Sequence, residues 1–312
     1  MLSFPQELLD FVFSHLSNHS LSACSAVCQN WRVSVRPLLF YTVVVRWGKV
    51  DDFISYLRSQ SSTVTVGHVK ELVFRGELTA QYPSTGRVTL TVSEIETILK
   101  MLPQVHSLSM DLVLVTCYRH NFGDWKIVPR PMKKICLSGV DLDTSRIPGN
   151  PPDSLISVCW TLAELLNLFS SVTVMHFCSV GTTRIRPNTW DTLIAAAHEA
   201  GQTISPSFSV KELILTGQRE GSDLALEMLK NSPKGLSVLQ SMEIDEYLVK
   251  ERAIGPTINR LTIHLNTTGM RRSAPRIVCP KLFMHLAFSD LSRTSLPSTC
   301  RHTQNYRSFA YW

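Results

Sequence analysis

Residues 98–110 read ILKMLPQVHSLSM and residues 165–177 read LLNLFSSVTVMHF, and the apolar positions of the two stretches coincide at a constant offset of 67. Ile98, Leu99, Met101, Leu102, Val105, Leu108 and Met110 fall on Leu165, Leu166, Leu168, Phe169, Val172, Met175 and Phe177. In each copy the spacing begins helical and then alternates, which predicts a helix, a two-residue break and a strand. Ser93 and Glu96 stand three apart ahead of the first helix, a spacing that predicts a capping box. A second echo supports the first. VKELVF at 69–74 is nearly restated by VKELIL at 210–215, both with the alternation of a strand buried mainly on one face. Looser units follow the same plan: a helix over 50–58, a strand over 132–137, helices over 190–200 and 222–230, and a strand over 258–265. Helix–strand units of irregular length, each needing its neighbours to bury its apolar face, describe an α/β solenoid. A compact α/β domain with a mixed sheet is the other architecture this pattern admits.

Two proline-bearing segments interrupt the series, at 81–87 and 146–153 (RIPGNPPD). In stacked repeats such insertions form loops on one face, often a binding face; tolerated linkers are the plainer reading.

Ahead of the units lies a stretch of another kind, FPQELLDFVFSHLSNHSLSACSAVCQNWRVSVRPLLFYTVVV at 4–45. Pro5 suits a helix start and Glu7 its positive end. Leu8, Leu9, Val12, Phe13 and Leu16 draw an apolar stripe, and residues 17–20 break it. A second helix carries Leu21, Cys24, Val27 and Cys28. A third runs through Trp31 and is predicted to stop before Pro37, with a strand after it. Phe4, Phe11 and Phe13 cannot all face inward on one helix, so aromatic surface is expected to stay exposed, as at a protein-docking site.

Phe4-Pro5-x-Glu7-Leu8-Leu9, then Leu16, Leu21, Val27-Cys28 and Trp31, resemble an F-box, with Phe4 where that family more often has Leu. RPLLFYTVVV at 36–45 resembles the exit from the F-box in many fungal members, and the units beyond are similar to a degenerate leucine-rich-repeat array without its asparagine ladder. The resemblance implies an α/β chain with a three-helix F-box at 1–45 followed by an irregular leucine-rich-repeat-like solenoid at 46–288; the residues of 289–312 themselves read as a basic, poorly ordered tail. It implies docking to a Skp-type adaptor, and through it a cullin scaffold, by Phe4, Pro5, Leu8, Leu9, Phe13, Leu16, Leu21, Val27, Cys28 and Trp31. The repeat part is then expected to hold a target protein whose identity the sequence does not give. A repeat scaffold unconnected with ubiquitination, its N-terminal helices a mere cap, is the rival reading.

Composition narrows the field. With 312 residues and 44% hydrophobic content the chain can bury a sizeable core. No window of about 18 apolar residues predicts a membrane span. The eight cysteines have no repeated spacing; those in apolar runs, Cys136 and Cys178, read as buried thiols in a reducing compartment, so cytosol or nucleus is expected. Seven of the 31 basic residues and one of the 25 acidic ones lie from Arg271 onward, so the part before it carries equal numbers of each. A chain-wide nucleic-acid surface is not expected, though Arg271, Arg272, Arg276 and Arg293 would suit an acidic partner. Beyond 290 the residues bury too little to order themselves.

Chemical motifs are sparse. His15, His19, Cys24 and Cys28 are the one set resembling a metal site, but a zinc finger holds its cysteine pair in a tight loop. One turn apart on a helix, Cys24 and Cys28 read as small core residues. No phosphate-binding loop, nucleophile elbow or zincin helix occurs. The histidines in strand-like runs, His106, His176 and His264, read as paired or surface-facing. No enzymatic activity, cofactor or metal is expected.

Overall fold

The computed structural model describes residues 5–77, 88–117, 128–143, 156–181, 190–217, 219–245, 260–267 and 270–273. Phe4, the proline-bearing segments 81–87 and 146–153, and the tail 289–312 lie outside them. The chain divides into two compact units, one containing Met1–Leu39 and the other Phe40–Pro280.

The first is helical: α1 (Gln6–Ser14), α2 (Asn18–Val27) and α3 (Gln29–Leu39). Pro5 stands one residue ahead of α1 as its N-cap, and its carbonyl accepts from the amides of Leu8 and Leu9 at 3.1 and 3.3 Å. Ser17 starts α2, its hydroxyl accepting from the Ser20 amide at 3.2 Å. The core consists of Phe13, Leu21 and Val35, with Leu9, Leu16, Cys24, Trp31, Leu38 and Leu39 packed around them. The expectation that α3 stops before Pro37 is corrected: Pro37 sits inside it. Proline forfeits one backbone bond in the last turn, while the continuation brings Leu38 and Leu39 onto the core. The strand expected from residue 38 therefore begins only at Thr42.

The second unit is α/β. Its main sheet has nine strands: β1 (Thr42–Arg46), β2 (Glu71–Arg75), β4 (Ser107–Asp111), β6 (Arg130–Ser138), β8 (Phe169–Cys178), β9 (Val210–Thr216), β10 (Ser241–Asp245), β11 (Arg260–Thr267) and β12 (Met270–Ser273). They lie side by side in the order they occur along the chain, all parallel except the β11–β12 pair. A smaller parallel sheet joins β3 (Val88–Thr91), β5 (Val113–Thr116) and β7 (Asp141–Asp143). Helices α4 (Val50–Arg58), α5 (Thr63–Val66), α6 (Val92–Met101), α7 (Ile156–Asn167), α8 (Trp190–Gln202) and α9 (Arg219–Asn231) connect the strands.

Two registered rows of side chains fill the buried face of the main sheet. One is Leu72, Leu108, Ile135, Met175, Leu213 and Met242; the other is Phe74, Met110, Leu137, Phe177, Leu215 and Ile244. All twelve are buried in one continuous core. Each such side chain contributes about 1.5–3 kcal/mol when fully withdrawn from water. The matched positions of the two 13-residue stretches share this environment: all are buried except Met101, which is partly buried against the same core. Their two-residue break is not what forms. Residues 102–106 separate α6 from β4, whereas Leu168 alone separates α7 from β8, because β8 begins early to pair along the whole of β6. In the longer gap the Arg130 guanidinium donates to the carbonyls of Leu99, Leu102, Pro103 and Val105, satisfying the open end of α6.

The capping box also shifts. Thr91, the last residue of β3, caps α6: its hydroxyl accepts from the Glu94 amide at 3.1 Å and its amide donates to the Glu94 carboxylate at 2.7 Å. Ser93 lies within the first turn. A left-handed corner recurs directly after the strands, at Leu112 (φ 56°), Gly139 (φ 57°), Ser179 (φ 53°) and Gly217 (φ 88°). At these corners the ladder goes one bond beyond the strand ends, with Leu112 donating to the Ser138 carbonyl, Gly139 to Cys178 and Ser179 to Thr216.

Candidate functional site

In α1 the periodicity of the helix divides the apolar stripe into two faces. Leu9, Phe13 and Leu16 repeat at four and three residues and turn into the three-helix core, where Phe13 is 1% exposed. Leu8 and Val12, expected on that same stripe, instead lie on a second face with Phe11, and Phe11 is 65% exposed. The expected exposed aromatic is thus Phe11, and the buried one is Phe13.

The residues predicted to dock an adaptor sort accordingly. Leu21 and Phe13 are buried, and Trp31 packs edge-on against Phe13 with ring centroids 5.4 Å apart. These side chains hold the helices in place, with Leu9 and Leu16. Pro5, Leu8, Val27 and Cys28 are exposed. Cys28 ends α2 in an extended conformation and is solvent-facing, which corrects its reading as a core residue; Cys24 does pack on the core. The exposed apolar set also includes Phe11, Val12 and Val33, which are absent from the docking residues expected from the sequence. Laying the sequence on a 3.6-residue wheel with Phe13 inward would have found the first two. Polar contacts fix the face: the Gln6 amide donates to Asp10 at 2.7 Å and to the Ser34 hydroxyl at 2.8 Å, linking α1 to α3, and the His15 ring lies tilted against Phe11 with ring centroids 4.6 Å apart. An exposed apolar face on a small helical unit, held by buried neighbours, is suited to binding protein rather than to chemistry.

The α/β unit offers a second surface. On the face of the main sheet opposite its core, one registered row reads Val44, Val73, Ser109, Cys136, His176, Ile214, Glu243 and Thr262, all partly exposed. At its centre the Cys136 sulfur lies 3.6 Å from His176 Nδ1, and His176 Nε2 lies 2.9 Å from the Thr216 hydroxyl. Burial pushes the Cys136 thiol above its ordinary pKa, against the pull of Lys134. Cys136 and Cys178 are thus half-buried, where full burial was expected, while Cys117 and Cys159 are enclosed. Burial raises the Cys159 thiol to about 12. His106 immediately precedes β4, its ring edge-on to Tyr41, and burial first, then Lys133, lowers its pKa. His176 is paired, as read, whereas His106 Nδ1 is buried with no partner.

Among the described residues no group of three or more His, Cys, Asp or Glu side chains is placed to hold a metal ion, and no helix is long and apolar enough to cross a membrane. His15, from the sequence-suggested set, is engaged with the Phe11 carbonyl at 2.8 Å.

No curated protein matches the chain. Residues 1–46, which span the helical unit and β1, match the F-box-like family, so the chain carries an F-box-like domain at its N-terminal end.

Proposed function

We propose that this chain is a substrate-recognition subunit of a Skp–cullin–F-box ubiquitin ligase. The helical unit docks on a Skp-type adaptor, and the α/β unit, an irregular leucine-rich-repeat-like array, holds a target protein. The observation that carries this reading is the F-box-like match at residues 1–46, and the exposed face of α1 supports it. The in-order strands and recurring corners support the repeat reading. Catalysis here is proximity: the target's effective concentration rises near the transfer machinery, and no bond is made by this chain. Cytosol or nucleus is the location this role requires.

The test is binding of a purified Skp-type adaptor. Replacing Leu8 and Phe11 together by alanine should weaken that binding by more than about 2 kcal/mol, the loss typical of an interface hot spot, with the melting temperature unchanged. Undiminished capture by the folded double variant overturns the reading. Absence of adaptor binding by the unmodified chain would favour the scaffold alternative.

A further inference from the structure

We propose that Cys136 is a modification site, a thiol oxidised to a sulfenic acid by small hydroperoxides with His176 handling the proton. The assignment rests on the α/β unit alone and stands independently of the ligase reading.

Three strands build the arrangement. β6 supplies Cys136, β8 supplies His176 directly across from it, and β9 supplies Thr216 one row further on. The thiol is 3.6 Å from His176 Nδ1 and the Thr216 hydroxyl is 2.9 Å from Nε2. A thiol donating to Nδ1 requires the tautomer with its proton on Nε2, and that proton donates to Thr216. The imidazole is thereby oriented to accept from sulfur, the geometry of a nucleophile beside its base with a third group holding the base.

Cys159 and Cys117 are enclosed and lack such access, and the exposed Cys28 sits at the end of a helix. Cys136 alone combines partial exposure with an imidazole at its sulfur among the described cysteines. Burial raises the thiol above its ordinary pKa, and the imidazole 3.6 Å from the sulfur is placed to take its proton. The half-buried position admits a small oxidant, and a hydroperoxide uses the imidazole twice. Nδ1 takes the thiol proton as sulfur attacks the terminal peroxide oxygen. The O–O bond breaks, and the departing oxygen takes the proton back from the imidazolium. Sulfur is oxidised to the sulfenic acid and hydrogen peroxide is reduced to water.

The experiment treats the full-length protein with hydrogen peroxide and traps sulfenic acids with a 1,3-dione for site-resolved mass spectrometry. Cys136 should label ahead of Cys28. His176→Gln should slow labelling at Cys136 by about tenfold or more, the range of a lost acid–base partner, and leave Cys28 unchanged. Thr216→Val, which keeps the imidazole but loosens its orientation, should slow Cys136 by a smaller factor. Labelling of Cys28 without Cys136 overturns the proposal, as does an unchanged rate at Cys136 in folded His176→Gln. Should His176→Gln fail to fold, Thr216→Val decides: a slowed Cys136 supports the proposal and an unchanged one overturns it.

Discussion

The helical unit and the α/β unit solve the same problem with very different means. In the first, three buried side chains, Phe13, Leu21 and Val35, hold three short helices, and Leu8, Phe11 and Val12 remain outside. In the second, one core runs from Val45 to Ile244, and each strand is buried by the strands before and after it in the chain. A core that small leaves stability marginal. The contrast teaches that the helical unit is built for a partner to finish, whereas the α/β unit finishes itself.

The strongest way to break this comparison is Phe13→Ala. It removes the largest buried side chain of the small core and the ring contact with Trp31, for an expected loss of about 3–5 kcal/mol. Amide hydrogen exchange should show protection lost across α1–α3 and retained in the strands of the main sheet. Loss of protection in both would show that the two units do not stand apart energetically.

Next in size is Gly217→Ala. Its φ is 88°, and an added Cβ would meet the Ser179 backbone nitrogen at 2.6 Å, which cannot step aside. Gly48 has a similar φ of 72° with nothing within 4 Å. Alanine at Gly48 should cost about 1 kcal/mol, the conformational share alone, and at Gly217 clearly more. Urea denaturation of the two variants measures the difference; equal losses would mean that the corner after β9 relaxes freely.

The smallest effect concerns His106. Its pKa in the folded chain is lowered, chiefly by burial and then by Lys133, so the unfolded chain binds the proton more readily. Its contribution is fully present above the unfolded value near 6.5 and is lost as pH falls through the folded one. Stability should therefore rise with pH across that window in the α/β unit, and His106→Gln should flatten the slope. An unchanged slope in chemical denaturation at several pH values would assign it to other groups.

Much of the α/β unit was legible because burial leaves a period. The offset matching Leu108 with Met175 and Met110 with Phe177 reports two strands facing one core, and those four residues are buried as the alternation requires. The second sheet left no such trace: β7 spans only Asp141–Asp143, too short for any period. The end of β3 was hidden for the same reason, and with it the true cap of α6 at Thr91. The apolar stripe of α1 merged two faces, because hydrophobicity does not distinguish a side chain that packs inward from one awaiting a partner. The Cys136–His176 pair depends on strand register across 40 positions, which no local spacing records.

The amides that directly follow four of the strands have a mechanical consequence. Gly76, Leu112, Gly139 and Ser179 each donate their amide forward to the last residue of the next strand in the main sheet. Each of these bonds thus clips a unit to its successor. Under a pulling force applied from one end, resistance would come from one clip at a time, and the chain would lengthen in a staircase. Gly76, Leu112, Gly139 and Ser179 would mark its treads, with most of the ladder still closed after the first step.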